Sequence, residues 1–405
     1  MPRNHHKTES GITGKQLKIF ILAKNLGSML FISRKKYARL AGTLCLAFLC
    51  AAATVYPGAR EKENQDPKPA ADNTSWVNIE KLRLEGIGWD KRQHPFDRLP
   101  AKAQGKVTGA VWNLSQNSAG IHVRFHTNAT SIKVKWYLRF NKDLNHMAAT
   151  GVKGLDLYVK EGTGWRWAAV GRPAKVVNEA TLLTKLPGTE KEYMLYLPLY
   201  DGVDSVLLGL EPGATLRPAP AREKKPIFFY GTSILQGACA SRPGMAYPAI
   251  IGRSLNQETV NLGFSGNGKM DMAIAELLAE TDAAMYVLDC LPNMQPEEVQ
   301  AKTTAFVKVL RAARPHTPIL LVENIHYADE WIRPELAVKI QAKNSHYRQA
   351  YEALKKAGIK ELHYLDNKNL TPADEEGAVD GVHLTDYGFK QLAGEIEKKI
   401  KKIGL

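Results

Sequence analysis

The stretch Pro226-Ile-Phe-Phe-Tyr-Gly-Thr-Ser233 decides the architecture of this chain. Four consecutive apolar or aromatic residues, Ile227–Tyr230, stand between a proline and a glycine. This pattern is typical of a short strand that is buried on both faces of a parallel sheet. The strand leads directly into Ser233, so a serine hydroxyl is expected at the carboxyl end of a strand, where open α/β sheets build their ligand sites. A turn or helix-cap serine is the structural alternative.

Apolar runs and amphipathic segments alternate through residues 217–405. The predicted strands are Ile227–Tyr230, Thr259–Leu262, Ala284–Leu288, Pro318–Val322 and Glu361–Leu365. The predicted helices are Ala246–Leu255, Met270–Ala279, Pro296–Ala313, Glu335–Ala357 and Thr385–Lys402. Strict alternation of strand and helix implies a parallel sheet with helices on both faces and right-handed crossovers. Residues 217–405 are therefore predicted to form an α/β domain.

Residues 76–216 have a different pattern, with short strands of period two. Ile121–His126 and Ser131–Trp136 alternate apolar and polar side chains, as half-buried antiparallel strands do. Further strands are predicted at Leu155–Val159, Trp165–Val170, Glu192–Leu199 and Val206–Leu210. Helical periodicity is nearly absent, so this region is predicted to be an antiparallel β-sandwich domain. The segment 212–226, rich in proline, alanine and charge, marks its boundary with the α/β domain.

The positive charge of the chain is concentrated at the N-terminus. Residues 1–60 contain ten Lys or Arg and one acidic residue, a net charge of +9, which leaves +5 of the total of +14 for the remainder. Without a dense basic stripe in the body, nucleic acid is not a predicted partner. Arg34–Arg39 is basic, Leu40–Val55 is apolar and uncharged, and Ala51–Ala53 and Ala59 supply small residues. This three-part pattern is that of a secretory signal.

Residues 1–59 are therefore predicted to be a signal or leader segment, with Met29 as an alternative start, and residues 60–75 a polar linker. The protein is expected to be exported, to the periplasm, the cell envelope or the medium. A retained membrane anchor is the alternative, although the 16 apolar residues are short for a full span. Cys50 offers a lipid anchor, although Leu49 precedes it where such signals prefer a small residue.

Signal cleavage would remove Cys45 and Cys50 and leave Cys239 and Cys290. Two cysteines make neither a disulfide framework nor a metal site by themselves. Each is expected to be a buried thiol or to lie near the site, and neither a metal nor a cofactor is predicted.

The serine needs a base, and the segment Asp380-Gly-Val-His383 supplies one. The short separation places a carboxylate and an imidazole in one loop, so that Asp380 can accept the imidazole N–H, fix its tautomer and stabilise the imidazolium. An Asp-Gly turn with a surface histidine is the structural alternative, because Thr385 is a good N-cap for the helix that follows. Leu235 stands where a G-x-S-x-G elbow requires glycine, which speaks against a standard α/β-hydrolase.

Two further segments follow the second and third predicted strands. Asn261-Leu-Gly-Phe-Ser-Gly-Asn-Gly268 contains glycines that let backbone N–H groups approach a ligand, and Asp289-Cys-Leu-Pro-Asn293 ends in a carboxamide donor. The first lacks the spacing of a phosphate-binding loop. Together with the Ser233 N–H, the Gly266 N–H and the Asn293 amide would form a three-donor oxyanion hole at one edge of the sheet.

These segments resemble the sequence blocks of the SGNH (GDSL-type) hydrolase superfamily. More narrowly, they are similar to SGNH esterases with an N-terminal β domain marked by Gly-x-Asp-Leu-Tyr, which stands here as Gly154–Tyr158. The run Gly231–Pro248 resembles the first block, and the resemblance covers about residues 76–400. Thr232 departs from the usual Gly-Asp-Ser, and Leu-Pro-Asn293-Met departs from Gly-x-Asn-Asp.

The resemblance implies a flavodoxin-like three-layer catalytic domain. It also implies Ser233 as nucleophile, His383 and Asp380 as base and orienter, and Gly266 and Asn293 as oxyanion donors. The expected function is a secreted serine esterase without a cofactor, and its expected partner is an O-acetylated carbohydrate. The alternatives are a lipase-like or thioesterase enzyme on longer acyl chains and a non-catalytic carbohydrate-binding protein. Trp136, Trp165 and Trp167 of the β domain are candidates for stacking on sugar rings. Packing in the core of the domain is the alternative for each.

Overall fold

The computed structural model describes residues 73–405. The predicted signal segment, the alternative start at Met29, Cys45, Cys50 and nearly all of the predicted linker lie outside this range. No helix of residues 73–405 is long and apolar enough to cross a membrane.

Ten strands and two short helices form the first part of the described chain. The strands are β1 (Ser75–Asn78), β2 (Leu84–Glu85), β3 (His122–Thr127), β4 (Ile132–Leu138), β5 (Leu155–Glu161), β6 (Gly164–Gly171), β7 (Val177–Leu183), β8 (Lys191–Tyr196), β9 (Val203–Leu210) and β10 (Leu216–Pro218). The helices are α1 (Gly109–Ser115) and α2 (Ala149–Val152), and the 3₁₀ turns are Ile79–Lys81 and Ala101–Ala103.

These strands form two antiparallel sheets. One has the order β1-β9-β4-β7, and the other has the order β10-β3-β8-β5-β6 with β2 added beside β3. Side chains alternate between buried and half-buried along β4, as its period-two pattern predicts. Val134 and Trp136 of the first sheet share one apolar core with Phe125 and Leu157 of the second. The two sheets are therefore the layers of a β-sandwich, as predicted.

Helix α1 departs from the prediction of a region nearly without helices. Thr108 caps it by accepting a hydrogen bond from the Val111 N–H at 3.3 Å. Its buried Val111 and Trp112 side chains pack with Phe228 and Tyr230, on the α/β sheet that follows. Two turns are too short for helical periodicity to be read from the sequence, and for this reason the helix was not predicted.

The second part of the chain alternates strands and helices. Its strands are β11 (Ile227–Gly231), β12 (Thr259–Gly263), β13 (Met285–Asp289), β14 (Ile319–Val322) and β15 (Leu362–Leu365). Its helices are α3 (Ser233–Gln236), α4 (Tyr247–Ser254), α5 (Met272–Ala279), α6 (Pro296–Ala313), α7 (Pro334–Lys356) and α8 (Asp386–Ile403), with 3₁₀ turns at Pro243–Met245 and Leu291–Asn293. Each predicted strand and helix is present, with ends within two residues of the prediction.

All five strands are parallel, in the order β12-β11-β13-β14-β15. In chain order this is 2-1-3-4-5, the flavodoxin-like order, whose topological switch point lies at the first strand. Alternate side chains of β11 enter two separate cores: Phe228 and Tyr230 face one, and Ile227 and Phe229 face the other. Helices on both faces complete three layers, as predicted.

One buried side chain joins the region before β3 to the α/β sheet. The Arg98 guanidinium is fully buried and donates to the carbonyl oxygens of Asn261 (3.1 Å) and Gly263 (2.7 Å), at the carboxyl end of β12. It also donates to the carbonyls of Leu114 and Asn117. Burial lowers the pKa of Arg98 to about 9. The contact fixes the edge of the sheet that carries the candidate site.

Candidate active site

Ser233 stands at the switch point of the parallel sheet. Strand β11 is paired on both sides, and it ends at Gly231, where a Cβ atom would lie 2.3 Å from the Asp289 carbonyl oxygen. Only glycine allows this close approach of two strands. Thr232 then caps the short helix α3, accepting a hydrogen bond from the Ile234 N–H. Ser233 is the first helical residue, so its own N–H has no partner within the helix.

His383 lies between Ser233 and Asp380. Its Nε2 is 2.9 Å from Ser233 Oγ, and its Nδ1 is 2.7 Å from Asp380 Oδ2. Asp380 Oδ1 accepts hydrogen bonds from the backbone N–H groups of Val382 (3.1 Å) and His383 (2.8 Å). The carboxylate is therefore held by its own loop while it faces the ring. With Nδ1 protonated and bonded to Asp380, Nε2 is the acceptor for the serine proton.

The loop that carries this pair has a tightly defined backbone. Gly381 has a φ of 88°, a conformation that favours glycine, and a Cβ there would lie 3.1 Å from the Asp329 carboxylate. The Val379 N–H donates to the His383 carbonyl at 2.8 Å. Thr385 caps α8 as predicted, accepting a hydrogen bond from the Gly388 N–H at 3.3 Å. The cap and the Ser233–His383–Asp380 arrangement therefore coexist.

The electrostatics of Asp380 favour its ionised form. Partial burial raises the pKa of this carboxyl, but hydrogen bonds from the His383 ring and backbone and from the Val382 N–H outweigh that effect. The net result is a pKa below the usual range. Asp380 thus stays a carboxylate at neutral pH, where it can stabilise a protonated His383.

Gly266 and Asn293 lie side by side, after β12 and β13. The Asn293 carboxamide is best satisfied with Oδ1 accepting from the N–H groups of Gly266 (3.2 Å), Asn267 (3.0 Å) and Gly268 (3.2 Å). This orientation turns the Nδ2 amide away from those groups. A Cβ on Gly268 would lie 1.9 Å from the Gly231 carbonyl oxygen, so this turn packs directly against the serine segment. The two predicted donors are therefore neighbours, and the Gly266 N–H already has one acceptor.

Asp156, in the middle of Gly154–Tyr158, is a buried carboxylate to which the sequence analysis assigned no role. Its fully buried carboxylate accepts hydrogen bonds from Arg242 Nη1 (2.8 Å) and the Gly244 N–H (2.8 Å) through Oδ2, and from Trp167 Nε1 (3.0 Å) through Oδ1. Burial raises the pKa of Asp156 despite the adjacent Arg242. The motif thus joins strand β5 of the sandwich to the segment that follows the serine helix.

The three tryptophans considered for sugar stacking have different environments. Trp136 is fully buried in the sandwich core, so core packing is its role. Trp165 is partly buried and packs against the cluster that contains Tyr158. Trp167 is half exposed, but its indole N–H is bonded to Asp156 and the Arg242 guanidinium lies over its ring, 5.2 Å from the centroid.

Both remaining cysteines are buried and free. Cys290 donates weakly to the Tyr230 carbonyl within the core. Cys239 lies near the site, and its Sγ is 3.1 Å from the His146 carbonyl oxygen. Burial first, and then the Asp380 charge, raise the pKa of the Cys239 thiol to about 12. It is therefore protonated at neutral pH rather than a nucleophilic thiolate.

Two protein families match the described chain. The GDSL-like Lipase/Acylhydrolase family matches residues 224–401. The GxDLY family, the N-terminus of SGNH-hydrolase-type esterases, matches residues 74–216. No curated protein gives a significant match.

Solved structures with a similar fold span nearly the whole described chain. A Bacteroides ovatus protein described as a GDSL-like lipase is 37% identical, with 82% of this chain and 98% of that chain covered and a TM-score of 0.79. A salicylyl-acyltransferase from a tetracycline biosynthetic pathway is 19% identical, with 83% and 99% covered and a TM-score of 0.68. An acetyl xylan esterase from Butyrivibrio proteoclasticus is 12% identical, with 81% and 98% covered and a TM-score of 0.51.

The last two likenesses show the fold alone. The 37% identity over most of both chains, together with the two family matches, shows the family as well as the fold. The chain belongs to the GDSL-like lipase/acylhydrolase family, with the N-terminal domain of SGNH-type esterases, and is an ester-hydrolysing enzyme.

Proposed function

We propose that the protein is an exported serine esterase that removes short acyl groups, acetyl above all, from carbohydrate. The single observation that carries the catalytic part is the continuous chain of hydrogen bonds from Ser233 Oγ through His383 to Asp380, at 2.9 and 2.7 Å. A serine, an imidazole and a carboxylate in this order are the apparatus of nucleophilic ester hydrolysis.

In the proposed mechanism His383 Nε2 takes the Ser233 Oγ proton as the oxygen attacks the ester carbonyl carbon. The carbonyl electron pair moves to oxygen, which accepts hydrogen bonds from the N–H groups of Ser233 and Gly266 and from Asn293 Nδ2. Rotation of the Asn293 carboxamide first releases the Gly266 N–H from Oδ1. The intermediate collapses, and the alcohol leaves with the proton from His383. Water then attacks the acyl group, giving its proton to His383, and the carboxylic acid departs as Ser233 Oγ recovers a proton.

The substrate class is supported by a cavity beside the catalytic loop. The cavity has a volume of about 360 Å³, and Ala378 and Leu384, which flank the Asp380–His383 segment, form part of its wall. Trp331 and Tyr387 also line it, and their side chains are 71% and 53% exposed. Exposed aromatic faces of this kind stack on sugar rings.

Beside apolar residues such as Pro372 and Ala373, the cavity is also lined by polar groups. They include the Glu330 carboxylate, the Asn369 carboxamide and the Thr371 hydroxyl. Hydrogen-bonding groups beside aromatic rings suit a sugar better than a long acyl chain, which needs an apolar wall. The shared fold of the acetyl xylan esterase adds support to this choice of substrate.

Export is supported by the order of basic, apolar and small residues in the segment 34–59. Expression of the full chain in a bacterial host, followed by fractionation and N-terminal sequencing, tests this part. Mature protein outside the cytoplasm that begins between residues 52 and 60 is expected. Uncleaved protein in the cytoplasm would contradict export.

The enzymatic part is tested with p-nitrophenyl esters of acetate, butyrate and octanoate. The wild type should prefer acetate, and Ser233→Ala should reduce kcat by several orders of magnitude, since the residual rate comes from binding alone. Release of acetate from a panel of acetylated polysaccharides then identifies the carbohydrate. A preference for octanoate would contradict the short-acyl proposal, and no turnover of any ester would contradict the serine-esterase mechanism.

A further inference from the structure

A cluster of metal-ligating side chains surrounds the catalytic loop. His146, Cys239, Asp380 and His383 each offer one ligand atom, and these atoms lie within 4.8 Å of one another. They come from three separate segments: the loop between β4 and α2, the turn after α3, and the loop before α8. No metal site was predicted from the sequence, because two cysteines alone do not form one. In the folded protein, two imidazoles and a carboxylate lie beside Cys239.

Direct contacts between residues of the cluster hold these segments together. The His146 and His383 rings are 5.4 Å apart between centroids. Cys239 Sγ donates to the His146 carbonyl at 3.1 Å. Cys239 has a φ of 69°, a left-handed conformation that is uncommon for residues other than glycine and is concentrated at functional sites. The turn after the serine helix thus keeps a strained backbone, and its thiol lies among the other ligands.

The set of donors fits Zn²⁺ best. Zinc in proteins takes four ligands from thiolate, imidazole and carboxylate, at about 2.0–2.3 Å, whereas Mg²⁺ and Ca²⁺ take oxygen ligands. Tetrahedral ligands at those distances are roughly 3.3–3.8 Å apart. The four atoms therefore need to close by about 1 Å, a movement within reach of side-chain rotation. Asp380 is 38% exposed, which opens the cluster to solvent and to an entering ion.

An ion in this cluster is incompatible with the catalytic hydrogen bonds. His383 has two ring nitrogens, one facing Ser233 Oγ and the other facing Asp380 Oδ2. Coordination through Nε2 removes the base from Ser233, and coordination through Nδ1 removes the imidazole from Asp380. We propose that His146, Cys239, Asp380 and His383 form a Zn²⁺ site whose occupation switches the esterase off. The Cys239 thiol gives up its proton to solvent as the zinc–sulfur bond forms. The metal site stands independently, and only its inhibitory effect rests on the proposed function.

Metal binding is tested with Co²⁺ in place of Zn²⁺, because Co²⁺ reports its ligands by absorbance. The Ser233→Ala variant retains all four ligands without the nucleophile. Saturable appearance of a thiolate-to-cobalt charge-transfer band and of tetrahedral d–d bands is expected. Cys239→Ser should abolish the charge-transfer band, and His146→Gln should weaken binding by about tenfold or more. Cys290→Ser, which alters the other buried thiol, should retain the band. Absence of the band in Ser233→Ala, with folding verified by circular dichroism, would overturn the metal site.

Inhibition is tested by titrating Zn²⁺ against turnover of p-nitrophenyl acetate, with each variant scaled to its own rate in EDTA. Wild-type activity should be lost and then restored by EDTA, and the midpoint should rise about tenfold or more in Cys239→Ser. Zn²⁺ should also protect Ser233 from a fluorophosphonate. Cobalt binding without zinc inhibition would overturn the switch and leave the metal site standing. A wild type without esterase activity would remove the proposed function and the switch, whereas the Co²⁺ result would still decide the metal site.

Discussion

Asp380 Oδ2 lies 2.7 Å from His383 Nδ1, although the two residues are only three positions apart in the chain. The turn at Gly381 lets one loop present both the His383 imidazole and its carboxylate partner to Ser233. Because the loop also donates two backbone N–H groups to Asp380, the carboxylate stays in position without help from another element. The pair is a local unit placed beside a distant serine.

Removing the Asp380 charge should reduce catalysis without unfolding the protein. Asp380→Asn presents an amide to His383, which favours the wrong tautomer, and kcat should fall by roughly 10³- to 10⁴-fold. Because hydrogen bonds keep the pKa of Asp380 below its usual range, the carboxylate is lost only as the pH falls through that lowered value. Glu376→Gln, an exposed change in the same segment, serves as the control. Equal kcat values for Asp380→Asn and the wild type would refute the assigned role.

The Asn293 amide is expected to act on the transition state. Asn293→Ala removes one donor from the oxyanion, so kcat should fall by about 10²- to 10³-fold with a smaller change in KM. Steady-state kinetics with p-nitrophenyl acetate measure both. The exposed Asn113→Ala, on helix α1, should match the wild type. A rise in KM with kcat retained would show that Asn293 binds substrate rather than the oxyanion.

The Asp156–Arg242 pair should contribute strongly to stability. Asp156 is fully buried, and its loss removes the carboxylate that accepts from the Arg242 guanidinium and the Gly244 N–H. Asp156→Ala should lower the free energy of unfolding by roughly 3–5 kcal/mol. The exposed pair of Asp282 with Lys225 is the matched control, and Asp282→Ala should cost less than about 1 kcal/mol. Urea unfolding measures both, and equal losses would contradict a special role for the motif.

The buried Asp289 should make stability depend on pH. Burial raises its pKa from 3.8 to about 6, although a hydrogen bond from Tyr247 opposes the shift. The folded state therefore binds this proton more tightly than the unfolded state. This proton stabilises the folded state by on the order of 3 kcal/mol below about pH 4, and that stabilisation is lost as the pH rises to about 6.

Asp289→Asn should remove this dependence. Relative to the wild type, the variant should gain stability between about pH 4.5 and 7, because the asparagine stays neutral and can still accept from Tyr247. Urea unfolding at several pH values measures the difference between the two proteins, which cancels the other titrating groups. A difference that is constant with pH would contradict the raised pKa.

The exposed Trp331 should matter for polymeric substrates. Trp331→Ala should lower kcat/KM for an acetylated polysaccharide by about three- to tenfold, the value of a lost aromatic stacking contact. The effect on p-nitrophenyl acetate should be smaller, so the ratio of the two kcat/KM values falls. Ile332→Ala, an equally exposed neighbour, is the control. An unchanged ratio would contradict a sugar-binding role for Trp331.

The sequence by itself determined the five strands and the five longer helices of the parallel-sheet region, and six of the ten strands of the β-sandwich. Burial on both faces leaves a continuous apolar run such as Ile227–Tyr230, and half-burial leaves the alternation that predicted β4. The Asp380–His383 pair was also predictable, because its geometry is confined to one turn. In each case the physical cause acts over a few neighbouring residues and therefore leaves a local pattern.

Only the tertiary structure decided which distant residues meet. The partner of Asp156 is Arg242, the exposed Trp331 lies beside the catalytic loop, and Trp136 is buried in the sandwich core. His146 and Cys239 come together near His383 in the same way. Such contacts depend on how the sheets and loops pack against one another. Local periodicity shows which face of a helix or strand a residue occupies, but it does not show which distant residue that side chain contacts. These sites are therefore assembled only when the chain folds.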